Sequence, residues 1–175
     1  MRLFIKIVSV LVLLIAIVAC GRKAEEVFLE KDGKEYKVGE QASFYYPKDF
    51  ELKAASDNNK VVNFVKNDEM ISYSTIKDDT DNAIDDMPTL YAGQLEEDGA
   101  KNVAFKNIEI DSGLKCQEFT GSYVSTGISF KHMVYFTDEA TYVLMYQAPQ
   151  ETYDENISVV SKYLESLAVH HEQVS

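Results

Sequence analysis

Glycine is scarce, eight in 175 residues, and nowhere clustered. That argues against the glycine-rich loops that cradle nucleotide phosphates, and it leaves no glycine-flanked serine of the nucleophile-elbow kind. Cysteine is scarcer still. Cys20 and Cys116 are the two present, and no C-x-x-C pair offers redox or metal chemistry. The three histidines, His132, His170 and His171, form no inward-facing set of three ligands, which argues against zinc. Positive charge is also short. Lysine and arginine number 17 against 29 aspartates and glutamates, for a formal charge of −12. Phosphate backbones repel a chain this acidic, so nucleic acid is not an expected partner. Internal repeats and low-complexity tracts are absent. No catalytic set, cofactor motif or metal-ligand pattern stands out.

What is present begins at the N-terminus. Arg2 and Lys6 give a short basic start, and from Ile7 to Ala19 every residue except Ser9 is apolar. This run falls short of the roughly 20 residues a helix needs to cross a bilayer. A basic start, an apolar core and a small residue at a cleavage point make a secretory signal. Ile17-Val18-Ala19-Cys20 resembles the lipobox of bacterial lipoprotein precursors. That resemblance implies cleavage before Cys20 and attachment of lipid, palmitate included, to its sulfur. The expected organisation is a lipoprotein signal peptide over 1–19, a lipidated tether over 20–26, one domain over 27–170 and a frayed tail over 171–175. The tether, fully extended, reaches on the order of 20 Å, so the domain sits close to the membrane. Arg2 and Lys6 leave with the signal, and the mature chain then carries −14. Anionic headgroups repel it, and the lipid on Cys20 must hold it there.

Downstream, short extended segments alternate with turn clusters. Val27-Phe28-Leu29 and Tyr36-Lys37-Val38 flank Asp32-Gly33, which predicts a hairpin. Ser43–Tyr46, Phe50–Leu52, Val61–Val65 and Met70–Ile76 read as strands, with a turn at Asp57-Asn58-Asn59. Ile84, Met87, Tyr91 and Leu95 follow helical spacing ahead of Gly99, with Pro88 favouring a start nearer Asp85 than Asn82. Four more strands are predicted at about Val103–Ile110, Leu114–Tyr123, Ile128–Phe136 and Thr141–Gln147. Turn clusters at 111–113, 125–127 and 137–139 make them antiparallel neighbours. Thr152-Tyr153-Asp154-Glu155 reads as a capping box opening a helix. Its apolar stripe is Tyr153, Ile157, Val160, Leu164, Leu167 and Ala168. The fold class is therefore α+β, with a mid-chain and a C-terminal helix on a mainly antiparallel sheet.

Three clusters bear on chemistry. Asp78, Asp79, Asp81, Asp85 and Asp86 offer carboxylates to a hard cation, but EF-hand spacing fails and helix capping accounts for most of them. Cys116 alternates with Leu114, Glu118 and Thr120, as a small buried residue would. His132 shares a strand face with Ile128, Phe130, Val134 and Phe136, as a half-buried structural histidine would. Among the eleven tyrosines, Tyr45, Tyr73, Tyr123 and Tyr135 either line the inside of a sandwich or present an exposed binding surface.

Phe44-Tyr45-Tyr46-Pro47-Lys48-Asp49-Phe50, the acidic turn into a mid-chain helix, the strand run from Val103 to Gln147 and a C-terminal helix with Ser166-Leu167 together resemble the PsbP-like (DcrB-like) superfamily. The resemblance covers about Glu35 to Val169. Phe50 stands where relatives commonly carry tryptophan, a residue this chain lacks altogether. The resemblance implies an α/β/α sandwich on a central antiparallel sheet, and proteins that bind other proteins without a reaction of their own. The expected function is a membrane-tethered envelope lipoprotein at the extracytoplasmic face of a bacterial cell membrane. It would act there as a non-enzymatic binding module for an unidentified envelope protein. The alternative is an envelope enzyme or small-ligand carrier with a pocket between helix and sheet.

Overall fold

In the computed structural model the described residues are 27–56, 60–77, 86–110, 114–137 and 140–170. Seven strands make the central sheet: β3 (Glu51–Ala55), β4 (Val61–Lys66), β5 (Glu69–Lys77), β6 (Lys101–Ile108), β7 (Lys115–Tyr123), β8 (Ile128–Phe136) and β9 (Ala140–Pro149). Their spatial order is β3-β4-β5-β9-β8-β7-β6, with every neighbouring pair antiparallel. Two meanders, β3 to β5 and β6 to β9, are thus joined where β5 pairs with β9. A second sheet holds β1 (Gly33–Val38), β2 (Ala42–Pro47) and the two-residue β10 (Ala168–Val169).

Among the described residues there are three helical pieces: α1 (Leu29–Asp32), α2 (Met87–Glu97) and α3 (Gln150–Leu164). Alternation along β8 sorts the layers. Phe130 and Val134 join Phe119, Val143 and Leu95 in a core beneath α2. Met133 and Tyr135 point the other way, into a larger core with Phe44, Phe64, Tyr73, Leu144 and Leu164. The central sheet is therefore covered by α2 on one face and by α3 with the small sheet on the other. The expected α/β/α sandwich forms, with the small sheet as an addition to it.

Several local expectations are corrected. Asp32-Gly33 is not a hairpin turn. The Phe28 carbonyl accepts hydrogen bonds from the Lys31 and Asp32 amides at 2.9 and 2.8 Å, closing the single turn of α1. Gly33 serves close packing instead, since a Cβ there would lie 2.7 Å from both the Leu29 carbonyl oxygen and the Tyr163 ring. The hairpin runs from β1 to β2 past Gly39, whose φ of +58° suits glycine.

The capping box does not form either. α3 begins at Gln150, with Pro149 at the N-cap and no side-chain cap. Two contacts set that start: the Gln150 amide donates to the Gly127 carbonyl at 3.1 Å, and Ser129 Oγ donates to Gln150 Oε1. The helix stops at Leu164, so Leu167 and Ala168 lie beyond it, with Ala168 pairing with Ser43 in the small sheet. Asp86 occupies the N-cap of α2 without a side-chain cap bond, and Pro88 sits in the first turn, where its missing N–H is not needed. His170 is held as well, its amide donating to the Gln41 carbonyl at 2.8 Å. The turns at 57–59 and 111–113, most of the acidic cluster and the tail from His171 lie outside the described residues.

Candidate functional site

α2 is shorter than the strands it covers. Eleven residues rise about 16 Å as a helix, whereas the nine residues of β7 or β8 extend about 30 Å. The helix packs Tyr91 on Phe119, ring centres 4.8 Å apart, and buries Leu95. It leaves the sheet bare beyond its first turn. The register there aligns Asn107 with Gln117, Gln117 with Val134, and Lys115 with Phe136, all on the α2 face. Between these residues and the start of α2 lies a half-open cavity of about 770 Å³.

Its walls are mixed, with apolar surface only slightly ahead of polar. Pro88 comes from α2, Phe105 and Ile108 from β6, Ile110 and Leu114 from the β6–β7 connection, and Phe136 from β8. Phe105 is 46% exposed although its ring packs on Phe119 with centroids 5.4 Å apart. The polar groups are Thr89, Asn107 and Gln117, with Glu109 and Lys115 exposed. Gln117 Nε2 donates to Asn107 Oδ1 at 3.0 Å, and Gln117 Oε1 is buried without a partner among the described residues. Cys116 also touches the cavity, but burial pushes its thiol up to about 12, so it remains a protonated, unreactive wall group.

Apart from Cys116, the residues singled out in the sequence lie elsewhere. His132 is fully buried, not half-buried, because α2 covers its face of the sheet. Tyr91 Oη lies 2.8 Å from His132 Nδ1, and Nε2 has no partner among the described residues. All eleven tyrosines are buried or half-buried, which places them inside the layers. Several are tied down: Tyr135 donates to the Leu164 carbonyl, and Tyr146 donates to Glu69 Oε2 at 2.7 Å. Glu118 forms ion pairs with Lys131 at 2.9 Å and Lys106 at 3.0 Å. Burial alone would raise the Glu118 pKa, but hydrogen bonds from Lys131 and Lys106 outweigh it and hold the carboxyl below its ordinary value. Cys20 and Asp78 to Asp85 lie outside the described residues. Among those described, no three His, Cys, Asp or Glu side chains gather to hold a metal ion. Of the cavity's walls, sequence reading singled out Cys116 alone for its chemistry, and as a small buried residue. Asn107 and Gln117 stand ten positions apart and carry no motif, so only the register brings them together.

A seven-stranded antiparallel sheet between α2 and α3, with a small sheet beside α3, defines an α+β sandwich. Comparison with solved structures finds the same fold in proteins that share little of its sequence. Cyanobacterial PsbP (CyanoP) from Synechocystis sp. PCC 6803 matches 87% of this chain and 99% of its own at a TM-score of 0.62, with 13% identity. PA94, a protein of unknown function from Pseudomonas aeruginosa, matches 79% of this chain and 98% of its own at a TM-score of 0.54, with 11% identity. No family model matches the sequence, and no curated protein does.

Proposed function

We propose that the chain is a lipid-anchored accessory protein of a bacterial envelope, binding a partner or ligand without transforming it. The cavity at the start of α2 carries this reading. It has the size of a small-molecule site, roughly 300–1,000 Å³, and its walls combine apolar and amide side chains with an unreactive thiol and the exposed Glu109 and Lys115. The signal-like Ile7–Cys20 stretch supports an extracytoplasmic location. Among the described residues no helix is long and apolar enough to cross a membrane. Of the two functional readings the sequence allows, a pocket between helix and sheet favours ligand binding over a flat aromatic surface, because no tyrosine is fully exposed.

Affinity capture from the native membrane tests this when wild type is compared with Phe105→Asp, which puts a carboxylate at the mouth on an exposed edge strand. A protein or small molecule that co-purifies with wild type and is lost from the variant is expected. Identical capture by both proteins would remove the cavity from the account.

A further inference from the structure

Resting on the reading that this cavity is the binding site, we infer that it takes a single-chain amphiphile with a zwitterionic head. The tail follows from the walls. Phe105, Ile108, Leu114 and Phe136 present apolar surface with no hydrogen-bonding group, and Phe105 stays 46% exposed at the mouth. An aromatic ring left in water beside a cavity gains from an apolar occupant, since burial of such surface drives association.

The head follows from the polar groups. Glu109 and Lys115 both line the cavity, both are exposed, and neither forms an ion pair with a described residue. A head carrying one ammonium and one anionic group finds an opposite charge for each. A singly charged head finds one opposite charge and one like charge, and complementarity of this kind sets selectivity. The Asn107–Gln117 pair adds an orphaned acceptor, Gln117 Oε1, in the same wall. A buried acceptor without a partner marks a place where an occupant or water completes the site.

Calorimetric titration of the purified protein with three probes of equal chain length, each below its micelle concentration, tests this. The probes are dodecylphosphocholine, laurate and dodecyltrimethylammonium. Dodecylphosphocholine should bind saturably and about tenfold more tightly than either singly charged probe. Lys115→Glu should turn the preference to dodecyltrimethylammonium, and Glu109→Lys should turn it to laurate. Both positions are exposed, so both variants should melt like wild type. NMR shifts from the bound probe should centre on Phe105, Asn107 and Gln117. An order of affinity that is the same in wild type and both variants would overturn the zwitterion assignment. Absence of saturable binding by every probe would overturn the amphiphile itself. If that silence came with a captured protein that Phe105→Asp still loses, the occupant would be a protein segment, and the inference would fall while the binding reading stood. If capture were also insensitive to Phe105→Asp, both would fall.

Discussion

His132 is the residue whose surroundings most restrict its chemistry. It is 5% exposed, with the Phe130 ring centre 4.7 Å away and Tyr91 over its other side. Burial lowers its pKa from the usual 6.5 to about 4. The folded chain therefore keeps the ring neutral where the unfolded chain takes up a proton. Stability is unaffected above about pH 6.5, falls as the pH drops from there toward 4, and levels off below. The loss from this one group is on the order of 3 kcal/mol. Carboxylates titrate over part of the same range, so the informative quantity is the difference from His132→Phe. Chemical denaturation at pH 7 and pH 4.5 should show wild type losing more stability than the variant. Equal losses would mean that His132 is reached by water or a proton donor in the folded state. Alternation along β8 disclosed its strand face, and alternation along β7 predicted the burial of Cys116. The unpartnered Nε2 could not be read from sequence, because it depends on where α2 lies.

Among elements, α3 docks through Val160, Tyr163 and Leu164, and Leu164 has no exposed surface. Leu164→Asp would bury a carboxylate without a partner, at a cost of on the order of 4 kcal/mol or more. Domains of this size are stable by only about 5–15 kcal/mol, so the variant should melt far below wild type or fail to fold. Unchanged melting would show that the helix is not docked. The stripe that marks Leu164 was legible, whereas the helix ends were not. A Thr-x-x-Glu pattern suggested a start at Thr152, but contacts of Gln150 with Gly127 and Ser129 fix the start earlier. The β6-to-β9 meander was readable from turn chemistry because its pairings are local. The β5–β9 pairing, which joins the two halves of the sheet, links residues about seventy apart, such as Ser74 and Val143, and left no local trace. The cavity was hidden for a similar reason, since it exists where a short helix ends above a long sheet.

For the whole molecule, the faces and the charge belong to one arrangement. α1 and β1, where the described chain begins, lie in the layer with α3, while Asn107, Gln117 and Phe136 of the cavity lie on the α2 face. At a formal charge of −14 without Arg2 and Lys6, the mature chain has no electrostatic reason to remain at an anionic bilayer. The account therefore depends on lipid at Cys20. Two acyl chains hold firmly where one exchanges, at about 0.8 kcal/mol per buried methylene. Cys20→Ser should abolish modification and leave the domain folded, because the two cores are built from residues downstream of the tether. An uncleaved precursor can stay in the membrane through Ile7–Ala19, so fractionation alone misleads. Mass spectrometry of the mature wild-type N-terminus is the direct measurement. The account predicts a peptide that starts at Cys20 and carries the mass of a diacylglyceryl group, whereas an intact Met1 or an unmodified start at Gly21 would contradict it.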